Sequence, residues 1–73
     1  MNKKQLNFVM DLLNITALNR RQAIENVIIN GDSAYSAELF ADLPKNTLKR
    51  DAVKCSKKWG ECLEIAKFVN GSL

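Results

Sequence analysis

Apolar residues recur along this chain at helical spacing. Leu6, Val9, Met10 and Leu13 stand at i, i+3, i+4 and i+7, and Phe8 and Leu12 widen the stripe, which predicts an amphipathic helix over residues 3–13. Ala23, Ile24, Val27 and Ile28 set the next period. Asn19-Arg20-Arg21-Gln22 ahead of them has capping-box spacing, and Gly31 behind them offers a left-handed residue that ends a helix cheaply. Asp32 or Ser33 can cap a third helix, whose apolar residues Ala34, Tyr35, Ala37, Leu39, Phe40, Ala41 and Leu43 run up to Pro44. Asn46 or Thr47 can cap a fourth with Leu48, Ala52, Val53 and Cys55 inside. Ser56 can cap a fifth carrying Trp59, Cys62, Leu63, Ile65, Ala66 and Val69, closed by Asn70-Gly71.

The expected fold is therefore all-α: about five short helices in a single small domain over residues 1–73, arranged as two stacked helical hairpins with an N-terminal capping helix. The first hairpin is predicted over residues 20–30 and 33–42, the second over 47–55 and 57–69. The β-branched run Val27-Ile28-Ile29 is too short for a convincing strand and lies inside a helical period. Ile24, Ile28, Tyr35, Leu39, Phe40, Leu48, Val53, Leu63, Ile65 and Ala66 form the expected core, with Leu6, Val9, Met10 and Leu13 packed on it.

A shift of twenty-four residues places Val53 under Ile29, Trp59 under Tyr35 and Leu63 under Leu39, with Gly31-Asp32-Ser33 opposite Cys55-Ser56-Lys57. Each half then reads as helix, tight polar turn, helix. With Val27-Ile28-Ile29-Asn30-Gly31-Asp32-Ser33-Ala34-Tyr35, Leu39-Phe40-Ala41-Asp42-Leu43-Pro44, Leu48 and Ala52-Val53, residues 23–69 resemble the degenerate helical-hairpin repeats strung together in phage and bacterial proteins. In the second copy Cys55-Ser56 replaces Gly31-Asp32, and Trp59-Gly60 replaces the Tyr35 region. The resemblance implies stacked hairpins, each needing a neighbour or a cap to bury its open face. It also implies a phage or mobile-element factor that binds and modulates a host or defence protein.

Composition narrows the chemistry. A 73-residue chain buries only about 60% of the surface its unfolded form exposes, so its core is small. No apolar run approaches the roughly 20 residues of a bilayer span, and the segment after Lys3-Lys4 is broken by Asn7, Asp11 and Asn14, unlike a secretory signal. A cytoplasmic location is expected, with Cys55 and Cys62 reduced and partly buried. The chain has no His, which removes Ser-His-Asp and Cys-His catalysis and every His-containing zinc site. Glu38 with Asp42, and Glu61 with Glu64, each share a helix face, yet no cleft is predicted around either pair. No enzyme, cofactor or metal is implied.

Charge says more about partners. The net charge is +3, but residues 45–58 carry Lys45, Lys49, Arg50, Lys54, Lys57 and Lys58 against Asp51 alone, a local excess of +5. Lys49, Arg50, Lys54, Lys57 and Lys58 are the candidate binding residues, a basic ridge beside Trp59. Trp59 is expected to anchor the last helix from inside; exposed, it would offer a base-stacking platform. The leading function is a small non-catalytic protein-interaction module. The alternatives are a nucleic-acid-binding helical protein using the ridge, and a structural or self-assembling component.

Overall fold

The first helix starts where a side chain replaces the missing intrahelical acceptor. Asn2 Oδ1 accepts from the Gln5 backbone N–H at 2.8 Å while Gln5 Oε1 accepts from the Asn2 N–H at 2.9 Å, a complete capping box. In the computed structural model, which describes the backbone of residues 1–72 and the side chains of residues 1–69, this opens helix α1, Lys3–Leu12. Asn14 then turns in the left-handed region (φ 59°), and Ile15 drops into the core. Helix α2, Leu18–Ile28, follows, with Gly31 at φ 78° beyond it. Ser33 Oγ accepts from the Ser36 N–H at 3.1 Å to start α3, Ala34–Ala41, and Asp42 ends that helix in the left-handed region. Helix α4 runs from Thr47 to Ser72 without interruption.

The all-α class stands, and no strand occurs among the described residues. The division into elements differs in two places. Four helices replace the five expected, because the predicted fourth and fifth are one: Cys55-Ser56-Lys57 is helical throughout, and α4 also passes the expected stop at Asn70-Gly71. Nothing in Cys-Ser-Lys forces a break, for none of the three needs a positive φ, and Ser is tolerated inside a helix. The second hairpin is therefore absent, whereas α2 and α3 pack together as the first. The cap of α2 is also displaced. Its N-cap is Ala17, without a side-chain hydrogen bond, so Asn19 lies inside the helix and the capping box forms at Asn2–Gln5 instead.

Leu6, Val9 and Met10 of α1, Ile15 of the link that follows it, Ala23 and Ile24 of α2, Ala37 of α3, and Leu48 and Cys55 of α4 form the buried core. Leu13, Val27, Ile28, Ile29, Ala34, Ala41, Leu43 and Trp59 pack around it half-buried. Several expected core residues lie outside. Tyr35, Leu39, Val53, Leu63, Ile65 and Ala66 are exposed, and Phe40 is 92% exposed. On α3 the inward face is taken by Ala37 and Glu38, which leaves the bulky residues outward, and the small Ala37 stands between α3 and α2. Glu38 Oε2 is buried without a hydrogen-bond partner, a destabilising feature.

Two arginines on α2 tie the helices together. Arg20 Nε and Nη2 donate to Asp51 Oδ2 and Oδ1 at 2.7 and 2.6 Å, a bidentate bridge to α4. Arg21 Nη1 donates to Asp11 Oδ1 at 2.7 Å and to the Ile15 carbonyl at 2.9 Å, locking α2 onto the end of α1. The body so formed surrounds the first turns of α4. A 26-residue helix is about 39 Å long, so its second half projects and the molecule measures 47 × 20 × 18 Å.

Candidate binding surface on α4

Helical geometry decides where the five predicted cations go. At about 100° per residue, Leu48, Asp51 and Cys55 define the inward face of α4, while Lys49, Arg50, Lys54 and Lys57 spread over the outward side and Lys58 lies at the margin beside Asp51. Lys49, Arg50, Lys54 and Lys57 are exposed and Lys58 is half-buried. Four of the five therefore share the outward side of one helix, although the sequence divided them between two helices.

The five are not equivalent. Lys58 Nζ lies 2.9 Å from Glu61 Oε2, and that hydrogen bond raises the lysine pKa and lowers the glutamate's. Arg50 Nε donates to the Asn46 carbonyl at 3.3 Å, which fixes its guanidinium near the start of α4. No carboxylate pairs with Lys49, Lys54 or Lys57 among the described residues.

Two depressions share this face. One, about 310 Å³, is lined by Lys49, Arg50, Val53 and Lys54, with Val53 63% exposed at its centre. It is an apolar spot rimmed by cations. The other, about 230 Å³, is lined by Arg20, Thr47, Arg50, Asp51 and Lys54. Asp51 is 2% exposed and both its oxygens are held by Arg20, which leaves Arg50 and Lys54 as the surplus charge there. The hydrogen bond to Asp51 raises the Arg20 pKa.

Trp59 does not adjoin the ridge. It is half-buried on the inward side, packed against the core as an anchor, so the cations have no stacking platform beside them at that position. Cys55 is buried and Cys62 half-buried, both free thiols; burial, with Asp51 nearby, pushes the Cys55 thiol up. No cluster of His, Cys, Asp and Glu that could hold a metal occurs among the described residues, and none of their helices is long and apolar enough to cross a membrane.

One groove was not legible in the sequence. Asn19, Gln22, Ala23 and Asn26 of α2 and Ala37, Phe40 and Ala41 of α3 line a depression of about 290 Å³, which arises because the alanines meet between the helices and Phe40 stands beside them. An alanine floor has no signature separate from ordinary helix packing. No family model matches the chain, and neither a curated protein nor a solved structure matches it.

Proposed function

We propose that this protein is a non-catalytic protein-interaction module whose basic face on α4 receives an acidic segment of a partner protein. The observation that carries this reading is the Val53 depression. An exposed valine rimmed by Lys49, Arg50 and Lys54 fits an apolar side chain flanked by carboxylates. A phosphodiester backbone would gain nothing from that apolar floor. The inward position of Trp59 adds to the preference for protein, since base stacking beside the ridge would need it outside. A phage or mobile-element factor acting on a host or defence protein is the biological setting we propose for such a module.

Nucleic acid is the second reading, favoured by the polar depression where Thr47, Arg50 and Lys54 surround the Arg20–Asp51 bridge. One experiment separates the two. The chain and its Lys54→Glu, Lys57→Glu double variant are used for affinity capture from native host extract, with and without nuclease, and titrated against a single-stranded oligonucleotide. Nuclease-resistant retention of a protein by the wild type and its loss in the variant supports the module. Oligonucleotide binding that falls steeply with salt and disappears in the variant, with no protein retained, replaces it with the second reading. Unchanged capture in the variant removes the ridge from the function.

A further inference from the structure

The polar depression beside the Val53 site holds a donor set that recognition of carboxylates alone leaves unused. Thr47, Arg50, Asp51 and Lys54 stand at i, i+3, i+4 and i+7 of α4, a stripe along the margin where α4 meets α2, and Arg20 reaches it from α2. Asp51 offers no free negative charge there. It is 2% exposed, and both its oxygens accept from Arg20, which also holds that guanidinium in place.

The remaining donors are open. Arg20 engages Asp51 through Nε and Nη2, which leaves Nη1, and Arg50 engages the Asn46 carbonyl through Nε, which leaves Nη1 and Nη2. Lys54 Nζ and Thr47 Oγ1 have no hydrogen-bond or ion-pair partner among the described residues. Lys58, one turn beyond Lys54, is already held by Glu61. Four donor groups thus line one depression of about 230 Å³, where Arg20, Arg50 and Lys54 against Asp51 leave a surplus charge of +2.

We propose that this depression takes the phosphate of a phosphorylated serine or threonine in the partner's acidic segment, with an apolar neighbour of that residue in the Val53 depression. The inference rests on the reading of α4 as a protein-binding face. Charge and donor count together select the phosphomonoester. A carboxylate brings one negative charge and two oxygens, so it leaves a cation uncompensated. A phosphomonoester carries about −1.5 to −2 at pH 7 and three acceptor oxygens, which match the surplus charge and the spread of donors. A backbone phosphodiester has a single charge. The two depressions share Arg50 and Lys54, so phosphate and apolar side chain sit side by side on one segment. Arg20 is ordered by Asp51 before any ligand arrives, which lowers the entropic cost of using its free Nη1.

The probe is an acidic peptide with leucine beside a serine, in free-serine and phosphoserine forms, titrated into isotope-labelled protein and followed by NMR at the amides of residues 47–54. At about pH 7.5 the phosphopeptide should bind at least about tenfold tighter. That gain should vanish as the pH falls to about 5, because the phosphate takes up its second proton near pH 6 while peptide carboxylates, which titrate near 4, stay charged. Arg20 from α2 and Arg50, Asp51 and Lys54 from α4 are the charged groups facing the phosphate, and the chain has no His, so the loss belongs to the ligand. The Arg50→Gln, Lys54→Gln variant should lose the gain. Thr47→Val should reduce it while the free-serine form binds as before, which also shows the fold intact. Equal binding of the two forms overturns the inference and leaves the acidic-segment reading standing, whereas no shift of those amides with either form overturns both. A gain that survives the Arg50→Gln, Lys54→Gln variant places the phosphate elsewhere and overturns the inference. A single-stranded oligonucleotide that displaces the phosphopeptide at equal concentration also overturns it and gives the depression to nucleic acid.

Discussion

Arg20 and Asp51 form the most consequential pair in the molecule, and they are unequally placed. Asp51 is 2% exposed, whereas the Arg20 side chain is 35% exposed. Removing the arginine strands a carboxylate in the core; removing the carboxylate leaves a guanidinium that can turn to water. Arg20→Met should therefore destabilise more than Asp51→Asn in urea unfolding. The first is expected near the 3–5 kcal/mol typical of a broken buried pair, and the second about 1–2 kcal/mol, with the arginine's share discounted for solvent screening. Equal losses would mean that Arg20 is as confined as its partner. Phe40 belongs to the same scale. Truncating a phenylalanine usually costs about 3–5 kcal/mol in a core, but at 92% exposure Phe40→Ala should shift the melt by under about 0.5 kcal/mol. Ile24→Ala, at a fully buried site, should cost about 2–5 kcal/mol. Asp51 stood out in the sequence only as the one acid in a run of cations, and its inward position was not read there, because an aspartate among lysines looks like an ordinary solvated helix residue. Its partner did not stand out, because Arg20 is thirty-one residues away and looks like any other helix-surface arginine.

At the scale of elements, caps that act through a local side chain were readable and helix continuity was less so. Ser33, Gly31 and the stop before Pro44 lie where their chemistry predicts, since each acts within a few residues. The Asn2–Gln5 box has the same spacing as Asn19–Gln22, and only the first forms; two equal local signals were decided by which start lets the apolar stripe meet the core. Ser56 posed the opposite problem, because serine can start a helix or sit within one. The continuity of α4 is testable with one substitution. In a hairpin Lys57 would be the first helical residue, where proline is tolerated; inside an unbroken helix proline removes a hydrogen bond and clashes with the preceding turn. Lys57→Pro should cut the ellipticity at 222 nm and weaken α4 by about 3 kcal/mol. A variant with unchanged helicity would restore the second hairpin.

For the molecule as a whole, the described structure divides into a packed body and a projecting rod. Cys55 is the last fully buried residue along the described chain, and Trp59 is the last that packs on the core. A chain ending at Glu61 should thus keep its thermal melt within a few degrees of the full-length protein while losing the projecting segment. A melt lowered by tens of degrees would mean that the distal half supports the body. The basic ridge was legible as composition, since a +5 excess in fourteen residues survives any secondary-structure assignment. Its curvature around one helix was not, nor was the apolar spot at Val53. That valine had been assigned to the core, because on a helix of unknown rotation a valine among lysines is as good a core candidate as any.

Gly60 gives the rod a further property. Glycine costs about 1 kcal/mol relative to alanine inside a helix, and nothing lies within 4 Å of where its β-carbon would stand. It sits where α4 leaves the body, at the root of a segment too short to be stably helical by itself in water. Ordering of residues 61–69 is then an equilibrium of its own, separate from the unfolding of the body. Gly60→Ala should raise the helicity of the free chain, favouring the ordered form of the segment about fivefold, the equivalent of that 1 kcal/mol, with no other contact altered. Hydrogen exchange at backbone amides 61–69 would register the change as slower exchange in the free monomer. The order of the whole projecting segment is thus set in part by one position that touches nothing around it.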